Sequence, residues 1–111
     1  MQSPKERILY LPLKKEWYEM IESGVKTEEY REIKEYWIKR LTSLNFPFLL
    51  FSYRNGYEAI PFKPFDCVKF SYGYTKRTMS FKIKSIEKGL GKKEWGAPDE
   101  DVFIIKLGER L

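Results

Sequence analysis

The chain has 111 residues, 42% hydrophobic and 33% charged, which fits one domain with a single core. It has no histidine and one cysteine, Cys67. That excludes Ser–His and Cys–His nucleophile pairs, an intrachain disulfide, thiolate zinc clusters and His-ligated metals, so any catalysis must use Lys, Glu, Asp, Tyr, Thr or Ser. The net charge of +5, from 21 Lys and Arg against 16 Asp and Glu, favours a polyanionic partner.

Arg7 to Leu13, "RILYLPL", reads as a short apolar strand ending near Pro12. Leu13, Trp17, Met20 and Ile21 then fall at i, i+4, i+7 and i+8, one face of a helix. Gly24 stands where a left-handed C-cap is expected. Lys26 to Arg31 follows as a short charged strand, and Ile33, Trp37, Leu41 and Leu44 mark a second helix stopped by Pro47.

The remainder reads as β. Phe48 to Tyr53 is a strand, followed by a turn at Asn55-Gly56 and the extended, proline-bearing "IPFKPFD". Val68, Phe70, Tyr72 and Tyr74 alternate with small or polar residues, as do Met79, Phe81 and Ile83, which predicts an antiparallel hairpin with a basic face. Glu87 to Asp101 reads as a long polar loop, and Val102 to Leu107 as a strand covered on both faces. The sum is an α+β chain: a mostly antiparallel, partly closed barrel of about six strands with two helices in its N-terminal half. The longest apolar run, "FPFLLFSY", is too short to span a bilayer, and "MQSPKER" is followed by no apolar leader core. A cytoplasmic protein without a membrane partner is expected.

Aromatics are dense, at 17%, and exposed rings would offer stacking surfaces for bases. Lys26 brings three donors suited to a phosphate or a carbonyl oxygen. Glu29 and Arg31, two apart, share one face of a strand. They form either a structural ion pair at the barrel mouth or an Arg fork held ready for phosphate. In a regular strand Lys26 points to the opposite face, so it joins them only if the chain bends near Lys26-Thr27. Arg54, Lys82, Lys84, Lys92 and Lys93 are candidate phosphate contacts, with Lys82 and Lys84 also readable as a solvated strand face. Tyr53, Tyr57 and Trp95 are candidate stacking rings, although Trp95, in its Gly-flanked loop, reads first as a plug in the barrel. "GLG" at Gly89 to Gly91 lacks the Lys-Ser/Thr ending of a phosphate loop.

The run Gly24-Val25-Lys26-Thr27-Glu28-Glu29-Tyr30-Arg31 carries glycine, lysine, glutamate and arginine at the spacing of the ASCH domain signature. With "YRNGY" at Tyr53 to Tyr57, "EWGAP" at Glu94 to Pro98 and the element order, the chain resembles the ASCH family of the PUA-like superfamily, in its small stand-alone prokaryotic or phage form. The resemblance implies a barrel with a basic cleft beside the helices where the motif residues gather. It implies RNA or nucleotide binding centred on Lys26, Glu29 and Arg31; Arg54, Tyr57, Lys82, Lys84 and Trp95 are candidate further contacts from their chemistry, and no cofactor or metal is expected. The alternatives are a hydrolase acting on N4-acetylcytidine or RNA and a protein-interaction module. The acetylcytidine-hydrolysing branch uses a Lys, a Thr and a Glu. Here Glu29 stands at the Thr position, and Glu94 is the candidate acid–base partner of Lys26.

Overall fold

A computed structural model of the chain describes residues 6–44 and 60–111. Its elements are β1 (Ile8–Leu13), α1 (Lys15–Glu22), β2 (Glu28–Glu32), α2 (Glu35–Leu41), β3 (Cys67–Tyr72), β4 (Thr78–Leu90), a 3₁₀ turn (Lys93–Trp95) and β5 (Asp101–Arg110). The strands form one curled, mixed sheet in the order β1-β3-β4-β5-β2, a half-barrel whose two open edges are β1 and β2. Only β1 and β3 run parallel, and the other neighbours are antiparallel.

The curl comes from β4. Its first part pairs with β3 from Thr78 to Lys82, and its second part pairs with β5 from Phe81 to Leu90. The β4–β5 register shifts between Phe81 and Ile83 and again before Ser85. Such irregularities bend a strand and increase its twist, so one long strand serves both halves of the sheet.

The alternation in the sequence decides which face is covered. Leu9, Leu11, Leu13, Val68, Phe70, Met79, Phe81, Phe103 and Ile105 point into the curl, where Tyr18 and Ile21 of α1 and Ile38 and Leu41 of α2 close the core. Burying each large apolar side chain of this kind stabilises the fold by about 1.5–3 kcal/mol. Val102 and Ile104, on the other face of β5, form a second small cluster with Tyr30 and Ala97. Both faces of β5 are therefore covered, as its unbroken apolar run predicts.

Among the described residues there are five strands where about six are expected of the whole chain, and the expected Phe48–Tyr53 strand lies outside them. The polar loop expected from Glu87 is shorter, because β4 continues to Leu90. Glu87, Lys88 and Gly89 pair there with Ile104, Phe103 and Val102. Their polarity reflects cross-strand ion pairs, Glu87 with Lys106 at 3.4 Å and Lys88 with Asp101 at 3.8 Å. Among the described residues no helix is long and apolar enough to cross a membrane.

Candidate functional site

The site begins at the end of α1. Gly24 takes φ of 86°, a left-handed backbone that suits glycine because it has no Cβ. The Ser23 and Gly24 amides donate to Glu19 O and Ile21 O, and the Lys26 amide reaches back to Met20 O at 3.0 Å. This folds the chain over the helix end before β2 starts at Glu28. Lys26 thus belongs to the turn and not to the strand, so strand alternation does not govern where its side chain goes. That turn supplies the bend the sequence left open.

Lys26 Nζ lies 2.8 Å from Glu29 Oε1 and donates to Trp95 O at 2.6 Å. It also sits 4.5 Å from the Trp17 ring centre and 5.5 Å from that of Tyr30. Both rings present π-electron density to a cation. Glu29 Oε2 accepts from Arg31 Nη1 at 2.8 Å. Lys26 is 2% exposed and Glu29 4%, so one buried carboxylate holds two cations, one on each oxygen.

Arg31 carries this arrangement to the surface. Its Nη1 donates to Tyr30 O at 2.7 Å and its Nη2 to Pro12 O at 3.3 Å. Pro12 is on β1 and Arg31 on β2, so one guanidinium ties together the two open edges of the half-barrel. Its Cζ lies 5.1 Å from the Trp37 ring centre, and its side chain is 16% exposed. These hydrogen bonds use three of its five donors, and those of Lys26 use two of three.

Above this charge chain lies a cavity of about 270 Å³, lined by Pro12, Leu13, Lys14, Trp17, Lys26, Glu29, Tyr30, Arg31, Trp95 and Gly96. Three of these side chains are cationic and one is a carboxylate. The roof is the segment after β4. Gly96 takes φ of 95° and lies so close to Trp17 that a Cβ would come within 2.8 Å of Cζ2. The Lys92 amide donates to Tyr30 Oη at 3.0 Å, and Tyr30 Oη donates to Glu28 Oε1 at 2.8 Å. Burial pushes the Tyr30 phenol well above its ordinary range. The Lys92 amide opposes that shift, and the Glu28 and Glu29 carboxylates add to it.

The sequence-derived candidates divide clearly. Lys26, Glu29, Arg31 and Trp95 meet in one cavity. Glu94 does not: it is exposed on the 3₁₀ turn outside the lining, and the carboxylate beside Lys26 is Glu29. Lys82 and Lys84 are exposed on β4 and also outside the lining, with Lys82 paired to Glu109 at 2.7 Å. Lys92 lies with its Nζ 4.2 Å from the Trp95 ring centre, and Lys93 meets Asp99 at 3.4 Å. Arg54, Tyr53 and Tyr57 lie outside the described residues. Sequence reasoning missed Trp17, Tyr30 and Pro12. Trp17 fell on an apolar helical stripe and read as core, and no spacing rule marks a proline whose carbonyl serves a distant arginine. Among the described residues no group of three His, Cys, Asp or Glu is placed to hold a metal ion.

No family model, curated protein or solved structure matches the chain.

Proposed function

We propose that the chain is an ASCH-type, PUA-like domain that binds RNA or a nucleotide in the cleft over Lys26, Glu29 and Arg31. The observation that carries this reading is the buried Lys26–Glu29–Arg31 chain at the foot of the cavity. Its two cations outnumber its carboxylate, and its partly exposed member, Arg31, keeps donors in reserve. A guanidinium fixed by a carboxylate and two carbonyls is preorganised, so it loses little freedom when it meets a phosphate. Lys14 adds charge to the same rim, and Trp17 and Trp95 line the same cavity. The cavity is just below the roughly 300–1,000 Å³ of sites for drug-sized ligands, a size suited to one nucleoside unit rather than a folded RNA element.

The hydrolase reading draws less support. Glu29 replaces the hydroxyl that the acetylcytidine-hydrolysing branch carries, and both of its oxygens already accept from cations. Glu94 stands outside the cavity. Binding of a uridine oligonucleotide measured by fluorescence anisotropy across a salt series tests the proposal. Affinity is expected to fall linearly on a log–log plot with salt, with a slope that reports the number of phosphates neutralised. Salt-insensitive binding, or none, overturns it. Turnover of N4-acetylcytidine by the wild-type chain would favour the hydrolase instead.

A further inference from the structure

Pro12 lines two cavities. One is the cleft, and the other is an open groove of about 340 Å³ on the outer face of the sheet, lined by Tyr10, Leu11, Pro12, Lys69, Ser71, Tyr74 and Thr78. We infer that this outer face is the continuation of the nucleic-acid track: a single RNA strand whose one unit enters the cleft crosses Pro12 and lies over β1, β3 and the start of β4. The inference rests on the cleft reading and adds the surface that holds the rest of the strand.

The register places the groove's residues together. Tyr10 pairs with Lys69, which pairs with Ser80; Pro12 pairs with Ser71, which pairs with Thr78. Strand alternation sends this set outward while Leu9, Leu11, Val68, Phe70 and Met79 fill the core. Tyr10 is 55% exposed and Tyr74, in the turn between β3 and β4, is 97% exposed. Tyr74 is almost fully open and Tyr10 more than half open, so both rings offer accessible surface for stacking.

The charge of the groove fits one kind of occupant. Its lining contains Lys69 and no carboxylate, and Lys69 has no ion-pair partner among the described residues. Arg40, whose Nη2 donates to Tyr10 O at 2.8 Å, brings a second cation to the β1 edge. None of the nearby acidic groups lines the groove: Glu109 is taken by Lys82, and Glu6 and Asp66 lie beside Cys67, two residues before Lys69 on β3. Open rings, cations and hydroxyls without carboxylates suit a flexible polyanion with stackable bases. An acidic protein partner would meet the charge but leave the two rings unexplained.

The test compares two probes on the full chain: uridine monophosphate, the single unit proposed for the cleft, and an oligouridylate of about eight nucleotides, within the range that small barrel domains track. The variants are Tyr10→Ala, Tyr74→Ala and Lys69→Glu, all at exposed or half-exposed positions, with thermal melting as the folding control. Each tyrosine change is expected to weaken oligonucleotide binding about fivefold to a hundredfold. Lys69→Glu is expected to reduce the log–log salt slope by about one or more. Monophosphate affinity stays unchanged in all three. If the wild-type chain binds both probes and none of the variants weakens the oligonucleotide, the outer face is not part of the track and the cleft reading survives alone. If the wild-type chain binds neither probe, the cleft reading fails and this inference falls with it.

Discussion

Lys26 Nζ and Glu29 Oε1 meet at 2.8 Å in a place almost closed to water, and the other oxygen of Glu29 meets Arg31. Desolvating such groups is costly, and the arrangement stands only because each partner compensates another. Removing the carboxylate by Glu29→Gln leaves two cations facing each other across a neutral amide. A loss of about 3–5 kcal/mol in unfolding free energy is expected, the range seen when one partner of a buried pair is deleted. Lys26→Met together with Glu29→Gln should cost less than the two single changes combined, because the second change removes a group the first has stranded. Urea denaturation of the four proteins measures both terms, and additive losses would show that the pair is not coupled.

Tyr30 gives the fold a sign in alkaline solution. Its phenol is held above the ordinary value of about 10, first by burial and then by the neighbouring carboxylates. Below that pH the folded and unfolded chains both keep the proton, and stability is untouched. As pH rises further the unfolded chain loses the proton while the folded one retains it, so stability falls with pH in that window. The chain has eight tyrosines. In an ultraviolet tyrosinate titration one of them is expected to ionise only as the protein unfolds. Tyr30→Phe should lack that late step; a variant that keeps it would assign the step to another ring.

Much of the fold was legible because burial imposes period. The alternation of β3 and early β4 follows directly from facing one core, whereas the stripe read for α1 was only partly right: Tyr18 and Ile21 face the core, and Trp17 lines the cleft. The end of β4 was not legible, since Glu87 and Lys88 carry charges that are balanced across strands and not by sequence neighbours. The candidate site was half legible. Glu29 and Arg31 share a strand face, so their spacing shows the relation. Lys26 reaches them through a turn set by Gly24 and the Lys26-to-Met20 backbone bond, a relation that no periodicity encodes. Glu94 looked suitable as a nearby carboxylate, yet it is the carbonyl of the next residue, Trp95, that faces Lys26.

Gly24 and Gly96 both hold positive φ, but they do so in different surroundings. A Cβ on Gly24 would meet nothing within 4 Å, whereas one on Gly96 would press against Trp17. Gly24→Ala is therefore expected to cost only the backbone term of about 1–2 kcal/mol. Gly96→Ala should cost more, because the roof segment must also lift from Trp17. Tryptophan fluorescence and nucleotide affinity separate the two. The Gly96 variant should shift the emission and weaken binding, and the Gly24 variant should leave both near wild type. Equal effects would mean that the roof does not depend on this contact.

Arg31 is asked to do two things at once, and Arg31→Lys separates them. A lysine can reach Glu29, but its single ammonium has no fork with which to hold Glu29, Tyr30 O and Pro12 O together. Loss of a charge-assisted hydrogen bond of this kind weakens nucleotide binding about tenfold to a hundredfold. The Pro12 carbonyl also loses its tie to β2, so the β1 edge of the half-barrel loosens. Hydrogen exchange should then quicken at the β1 amides and at Gly73, whose amide donates to Leu13 O at 2.8 Å, while β4 and β5 stay protected. Arg40→Ala provides the contrast. It frees the Tyr10 carbonyl farther along the same edge, outside the cleft lining, and should quicken exchange there with no effect on monophosphate binding. If Arg31→Lys weakens binding while exchange on β1 stays unchanged, the guanidinium serves the ligand and the half-barrel edge is held by its core contacts alone.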